Sequence, residues 1–156
     1  MIALETVAKD FVRLSSGRCQ VVSLGAGQDT LFFRLAVSCI VLKVARPSEE
    51  LLSYLGLWLL QKHNLSPTKF FEVDLPSVTH LKTQVLQANS PLQQMVLSED
   101  PHKVYKDAVE SSREPDQGKT FPDSIPRGPR YSLITANLAD LKTVTKRLEE
   151  EGLDYK

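Results

Sequence analysis

Apolar and polar positions along the chain alternate between two periodicities. Short apolar runs rich in β-branched and aromatic residues predict buried strands, and apolar residues at helical spacing predict amphipathic helices. The predicted strands are Gln20 to Leu24, Lys69 to Val73 and Tyr131 to Ala136. The predicted helices cover residues 3–14, 30–35, 77–88 and 138–151. Helices that alternate with strands are typical of an α/β fold with a parallel sheet.

The first and last helices each carry an apolar stripe. In the first helix the stripe comprises Leu4, Val7, Ala8, Phe11 and Leu14. In the last helix it comprises Leu138, Leu141, Val144 and Leu148. A one-sided stripe of this kind normally faces the core, so we expect both stripes to be buried.

Two segments depart from this alternation. Residues 36–61 join a strand-like run to a helical pattern that is apolar almost all the way round, and we interpret them as an atypical inserted segment. The apolar part is well short of the roughly 20 residues that a membrane span needs. Residues 98–130 are polar and contain five prolines, which predicts a flexible surface loop.

The composition is that of an ordinary globular domain. The 156 residues suit a single domain, and 42% of them are apolar. The 19 basic and 19 acidic residues cancel, which argues against a nucleic-acid partner or a polybasic membrane anchor. The cysteines, Cys19 and Cys39, and the histidines have no metal-ligand spacing, so we expect no metal. The N-terminus lacks a continuous apolar signal region, and we expect a cytoplasmic protein.

A glycine turn follows the first predicted strand. Dinucleotide-binding turns have the pattern G-x-G-x-x-G, whose third glycine allows close packing of helix on strand. Here Gly25 and Gly27 supply the first two glycines, but Thr30 occupies the third position and Asp29 adds a negative charge. Both features disfavour a dinucleotide and suit a ligand with a positive centre, such as S-adenosylmethionine. A structural turn without a ligand remains an equal alternative.

An acidic residue ends the second predicted strand. Carboxylates at this position commonly accept hydrogen bonds from the two hydroxyls of a ribose, which makes Asp74 a candidate and Glu72 a weaker one. Asp74 lies 47 residues after Gly27, whereas about 20 are usual. The excess is close to the length of the atypical segment. An exposed acid without a ligand is the more common interpretation of a single aspartate.

Polar residues also follow the third predicted strand. The side chain of Asn137 could reach the edge of an adenine ring, and Leu138 could pack against its face. The alternative is that Asn137 or Asp140 caps the next helix, as residues of this type often do. For Asp140 we favour the helix cap.

Three segments together resemble the leucine carboxyl methyltransferase family. They are CQVVSLGAGQDTLFFRL at residues 19–35, SPTKFFEVDLP at residues 66–76, and RYSLITANLADL with the helix after it at residues 130–153. The resemblance implies a Rossmann-like S-adenosylmethionine-dependent methyltransferase fold of α/β class. Only its first half would be present, with about three parallel strands and flanking helices. The activity implied is methylation of the C-terminal leucine carboxylate of the protein phosphatase 2A catalytic subunit, with S-adenosyl-L-methionine as cofactor.

The resemblance also assigns roles to individual residues. It implies that Gly25 approaches the methionine part of the cofactor and that Asp74 binds the ribose. Asn137 and Leu138 stand where the family usually has Asp-Leu, so Asn137 keeps a carbonyl acceptor for adenine but loses the charge. A carboxylate substrate is ionised at neutral pH and needs no general base, so no catalytic residue is expected.

The chain also departs from the family pattern. The family has an arginine upstream of the first helix and a later strand that ends in Glu-Cys-Val-Leu, and we expect this sequence to contain neither. Residues 36–61, in turn, have no counterpart that we recognise in the family. We therefore expect residues 1–156 to form a partial methyltransferase domain of a truncated or variant form. The alternative is a catalytically inactive truncated variant that acts as a partial binding domain. The related methyltransferase of wybutosine synthesis carries a long repeat region that is absent here, and we favour it least.

Overall fold

The computed structural model describes residues 2–36, 67–101, 103–104 and 125–155. Within these ranges the strands are β1 (Gln20–Leu24), β2 (Lys69–Asp74) and β3 (Tyr131–Thr135). The helices are α1 (Ile2–Leu14), α2 (Pro76–Gln87), α3 (Ser90–Leu97) and α4 (Leu141–Glu150). Residues 31–36 are helical as well. The predicted strands and helices therefore correspond to observed elements, with shifts of one to three residues at most ends.

The described strands form a parallel sheet in the order β1-β2-β3. Leu24 of β1 pairs with Val73 of β2, and Asp74 of β2 pairs with Thr135 of β3. The carboxyl ends of all three strands therefore meet at one edge. The predicted α/β class, with three parallel strands and flanking helices, is confirmed. The arrangement is consistent with the first half of a Rossmann-like methyltransferase fold.

Both faces of β2 and β3 are largely buried, as is usual for parallel sheets, whereas Val22 and Leu24 of β1 are exposed. On one face, residues 31–36 pack with Phe70 and Tyr131, and the Phe32 ring lies 4.8 Å from the Tyr131 ring between centroids. On the other face, Phe71 and Val73 pack with α4. Each fully buried side chain of this size contributes about 1.5–3 kcal/mol relative to its exposed state. The central strand β2 therefore holds the two layers together.

Three members of the apolar stripe predicted for α1 are not buried in the described structure. Val7, Phe11 and Leu14 are largely exposed, and Leu14 reaches 82%, whereas Val12 is fully buried. Ala8 contacts the core cluster formed by residues 31–36. The contact of Ala8 and the ion pair of Glu5 with Arg34 place α1 so that Val7, Phe11 and Leu14 lie outside the described core.

The stripe predicted for the last helix is only half right. Val144 and Leu148 are buried against Phe71 and Val73, as predicted. Leu141, the first residue of α4, is largely exposed and does not belong to that cluster. Leu138 precedes the helix and packs at the edge of the same cluster.

Helix α3 was not predicted from the sequence. It begins after Asn89, whose side-chain Oδ1 accepts a hydrogen bond from the Leu92 N–H at 3.2 Å, and it has Pro91 in its first turn. Asparagine before a helix and proline at its start are ordinary start signals. With eight residues, α3 is too short for a helical periodicity to show the helix without them.

The two atypical segments fall largely outside the described residues. Of the predicted insertion at residues 36–61, only residue 36 is described. Of the predicted loop at residues 98–130, residues 102 and 105–124 lie outside the described ranges. In the described part of the chain, no helix is long and apolar enough to cross a membrane.

Asp140 caps α4, as the sequence indicated. Its carboxylate accepts hydrogen bonds from the Thr143 N–H at 3.2 Å and from the Thr143 hydroxyl at 2.6 Å. These hydrogen bonds hold the pKa of Asp140 below its ordinary value. Because the pKa is lower in the folded state, the stabilisation is complete above the ordinary pKa of aspartate and is lost as the pH falls through the folded-state pKa.

We therefore expect Asp140→Ala to lower the melting temperature at pH 7. The difference from wild type should shrink as the pH falls below the ordinary pKa of aspartate, about 4, and through the lower folded-state pKa. Thermal unfolding followed by circular dichroism at pH 7 and at pH 3 measures both effects. Asp140→Asn is the control, because asparagine also caps helices but does not titrate. Equal melting temperatures of wild type and Asp140→Ala at pH 7 would contradict the assignment.

Candidate functional site

Three of the four predicted site residues meet at the carboxyl edge of the sheet. The space beside Gly25 is bordered by Leu138, whose Cδ1 would lie 3.5 Å from a Cβ built on the glycine. Asp74 reaches the same loop, where its Oδ2 accepts a hydrogen bond from the Gly27 N–H at 2.6 Å. Asn137 is exposed beside Leu138, and its Oδ1 accepts from the Ala139 N–H at 3.1 Å. Asn137 therefore shapes the loop after β3.

The loop after β1 requires its glycines. Gly25 and Gly27 have φ angles of +65° and +58°, in the left-handed region that other residues rarely adopt. The Gly25 N–H donates to the Val73 carbonyl at 2.9 Å, which continues the pairing of β1 with β2. A Cβ built on Gly27 meets no atom within 4 Å. The loop is thus anchored on the sheet side and has open space beside Gly27.

Asp74 is the link between the ends of β1 and β2. Besides the bond from Gly27, its Oδ1 accepts from the Leu75 N–H at 2.7 Å. The residue is only 7% exposed. Each carboxylate oxygen can accept two hydrogen bonds, so the group retains acceptor capacity after both contacts. The open space at Gly27, the carboxylate and the apolar Leu138 together suit a nucleoside with a ribose and an adenine ring.

Asp29 is paired within the protein. Its Oδ1 lies 2.9 Å from Nη2 of Arg34, whose Nη1 donates to the Thr30 hydroxyl at 2.9 Å. Nε of Arg34 lies 3.0 Å from Oε2 of Glu5, close enough for an ion pair although not aligned as a hydrogen bond. The negative charge of Asp29 is therefore largely compensated. Thr30, in place of a third glycine, is then the stronger feature against a dinucleotide.

A buried polar cluster behind the loop was missed in the sequence. It consists of Glu72 on β2, Lys82 on α2 and Tyr131 on β3, all at most 4% exposed. The Lys82 ammonium donates to Oε2 of Glu72 and, at 2.6 Å, to the Asp29 carbonyl. The Tyr131 hydroxyl donates to the same Glu72 oxygen at 2.8 Å. The available signal was an acidic residue between two apolar residues of the strand, Phe71 and Val73.

Burial dominates the electrostatics of this cluster. Loss of hydration raises the pKa of Glu72, and the nearby Lys82 and Tyr131 oppose that rise. Burial and then the charge of Glu72 raise the pKa of Tyr131 well above its ordinary value, so the phenol stays a proton donor. Glu72 Oε1 has no hydrogen-bond partner in the described part of the chain. Burial of a charged group without a partner costs on the order of several kcal/mol of stability, so each member of the cluster needs the others as partners.

Comparison with known proteins finds relatives whose sequences align with nearly the whole chain. Leucine carboxyl methyltransferase 1 of Rattus norvegicus is 26% identical over 142 residues, which are 91% of this chain and 31% of the rat protein. Leucine carboxyl methyltransferase 1 of Bos taurus is 24% identical over 147 residues, 92% of this chain and 32% of the bovine protein. The chain is similar to the leucine carboxyl methyltransferases. No family model matches it.

The resemblance to the leucine carboxyl methyltransferases, drawn from three motifs, is therefore confirmed. The chain spans about a third of the length of the curated relatives it matches. The glycine loop lies in the first of these three motifs, Asp74 in the second and Leu138 in the third. Across residues 2–36, 67–101, 103–104 and 125–155, no three His, Cys, Asp or Glu side chains are grouped so that they could hold a metal ion.

The buried cluster leads to a stability prediction. Tyr131→Phe removes the hydroxyl that donates to Glu72 and should lower the free energy of unfolding by about 1.5–3 kcal/mol, the range for hydrogen bonds to charged groups. Urea denaturation followed by circular dichroism measures the change. Tyr155→Phe makes the same chemical change on an exposed side chain and should alter stability by less than about 0.5 kcal/mol. Equal stability of the two variants would contradict the buried hydrogen bond.

Proposed function

We propose that this chain forms the cofactor-binding part of an S-adenosylmethionine-dependent methyltransferase. The substrate we propose is the C-terminal leucine carboxylate of the protein phosphatase 2A catalytic subunit. The observation that carries the proposal is the contact of Asp74 with Gly27, which joins the acid at the end of β2 to the glycine loop after β1. Similarity to the leucine carboxyl methyltransferases over 91% of the chain supports the same reaction class. Residues 1–156 would then be a partial methyltransferase domain.

Each site residue has a role in this proposal. Gly25 lies beside the methionine part of the cofactor, because a glycine at this turn leaves room for close backbone approach. Asp74 binds the ribose hydroxyls with the acceptor positions that Gly27 and Leu75 leave free. Leu138 packs against the adenine ring, and Asn137 offers its amide to the ring edge.

The chemistry requires positioning more than proton transfer. S-adenosyl-L-methionine, when bound, supplies a methyl group on a positively charged sulfur. The leucine carboxylate is ionised at neutral pH, so no residue of this chain needs to act as a general base. The contribution of the protein would be alignment of the two groups and exclusion of water from them. We therefore assign no catalytic residue. We also propose that the protein uses no metal, has no nucleic-acid or membrane partner, and is cytoplasmic.

A second candidate function is a catalytically inactive partial binding domain. It is favoured by β1, which forms one edge of the described sheet and whose Val22 and Leu24 are exposed. Exposed strand edges pair readily with other chains. Sedimentation of the purified chain discriminates between the two candidates. A stable monomer with cooperative unfolding would weaken the binding-domain function, whereas self-association would favour it.

Two glycine variants test the cofactor site. Gly25→Ala and Gly152→Ala both place alanine at a positive φ, so each should lose about 1–2 kcal/mol of stability. Gly152 follows the C-terminal end of α4 and meets no atom within 4 Å of a built Cβ, whereas Gly25 lies against Leu138 in the proposed site. Only Gly25→Ala should weaken binding of S-adenosylmethionine, by about tenfold or more, which corresponds to 1.4 kcal/mol.

Isothermal titration calorimetry at temperatures where both variants remain folded measures these affinities. Equal affinities of Gly25→Ala and Gly152→Ala would contradict the placement of the site. No binding by the wild-type chain at about 1 mM cofactor, an affinity worth only about 4 kcal/mol, would contradict a cofactor-binding function for this chain.

A further inference from the structure

Lys82 is unusual because its ammonium group is buried between three elements of the fold. The residue lies on α2 and is 4% exposed, although lysine is among the residue types least often buried. Its Nζ contacts the carboxylate of Glu72 on β2 and the backbone carbonyl of Asp29, at 2.6 Å, in the loop after β1. The side chain thus connects the helix, the central strand and the glycine loop.

Stability alone gives a weak reason for this arrangement. Replacement of a buried ion pair by apolar residues of similar volume is often neutral or stabilising, because the loss of hydration offsets the attraction. An apolar side chain at residue 82 could fill the space but could not donate to the Asp29 carbonyl. The hydrogen bond to the loop is therefore the feature for which a lysine is needed.

The anchor of Lys82 is rigid. Glu72 lies on the central strand, 1% exposed, and also accepts a hydrogen bond at 2.8 Å from the hydroxyl of Tyr131. Tyr131 is fully buried on β3 and packs against Phe32 and Phe33. The carboxylate that holds the ammonium group is thus positioned by β2, by Tyr131 of β3 and by the core rather than by the loop.

The loop itself would be mobile without such contacts. Gly25 and Gly27 give it two residues of high conformational freedom, which raises the entropy cost of holding one conformation. Three contacts oppose this: Asp74 with the Gly27 N–H, Lys82 with the Asp29 carbonyl, and Arg34 with the Asp29 carboxylate. A loop ordered before binding loses less entropy when a ligand binds.

We propose that Lys82, anchored on Glu72, is a positioning residue that holds the Asp29 carbonyl and thereby orders the loop of residues 25–29 for cofactor binding. The effect on the loop concerns this chain alone, whereas the effect on binding rests on the proposed methyltransferase function. Lys82 touches no part of the proposed site directly, since it acts through the backbone of Asp29.

The test compares Lys82→Met with the double variant Lys82→Met/Glu72→Gln in the full chain. Methionine has similar length but no donor, and the added glutamine removes the buried carboxylate that the single variant would leave unpaired. Hydrogen–deuterium exchange followed by mass spectrometry should show faster exchange, by about tenfold or more, in peptides that cover residues 25–29. Peptides that cover β2 and β3 should keep the wild-type rates in the double variant. The affinity for S-adenosylmethionine should fall by about tenfold, equivalent to 1.4 kcal/mol.

The matched control is Lys146→Met, which removes an exposed ammonium 3.8 Å from Glu150 on α4 and should change neither exchange nor affinity. Unchanged loop exchange in the double variant would overturn the proposal. Faster exchange of the loop, β2 and β3 together, or failure of the double variant to fold, would also overturn it, because the cluster would then support the core as a whole. If wild type binds no cofactor, the proposed function fails, and the exchange rates still decide the role of Lys82.

Discussion

The pairing of β2 with strands on both sides is the constraint on which the described structure depends. Its residues from Phe70 to Asp74 are all buried, and their alternation sends Phe71 and Val73 to one face and the remaining three to the other. The first face packs on α4, and the second packs on residues 31–36. Because this one strand has no exposed face, any polar residue on it must find a partner inside the protein.

Two acidic residues of β2 meet that requirement in different ways. Asp74 lies at the strand end and accepts backbone N–H groups from Gly27 and Leu75, so its charge is satisfied by the loops around the carboxyl edge. Glu72 lies two residues earlier in the strand and is matched by side chains, those of Lys82 and Tyr131. Glu72 and Asp74 are two residues apart and therefore lie on the same face of β2. The buried cluster around Glu72 is thus next to the candidate site around Asp74.

This alignment connects stability to function. The glycine loop holds two left-handed residues and has open space beside Gly27, features that suit a ligand but add little packing. Its order therefore comes from charged groups on neighbouring elements rather than from apolar burial. Arg34 extends the same set of contacts to Glu5, so α1 is also joined to the loop. The candidate site therefore combines a loop held by buried charged groups with open space beside Gly27.

Local patterns in the sequence suffice for much of this protein. The strands, most of the helices, the glycine turn and the Asp140 cap follow from periodicity and from residues adjacent in the chain. Helix α3 had local start signals too, in Asn89 and Pro91, but its eight residues are too few to show a clear helical periodicity. The motifs also carried the resemblance to the leucine carboxyl methyltransferases.

Contacts between distant segments could not be read in the same way. The bond between Gly27 and Asp74 spans 47 residues, and the contact of Lys82 with Asp29 spans 53. The buried side of α1 is also set by what packs against it, which is why Val12 is inside and Leu14 is outside. Periodicity indicates that a helix or strand has an apolar face, but it does not say which neighbour that face meets. Only the packing of the elements brings a lysine, a glutamate and a loop carbonyl to one point, because their proximity depends on the register of strands far apart in the chain.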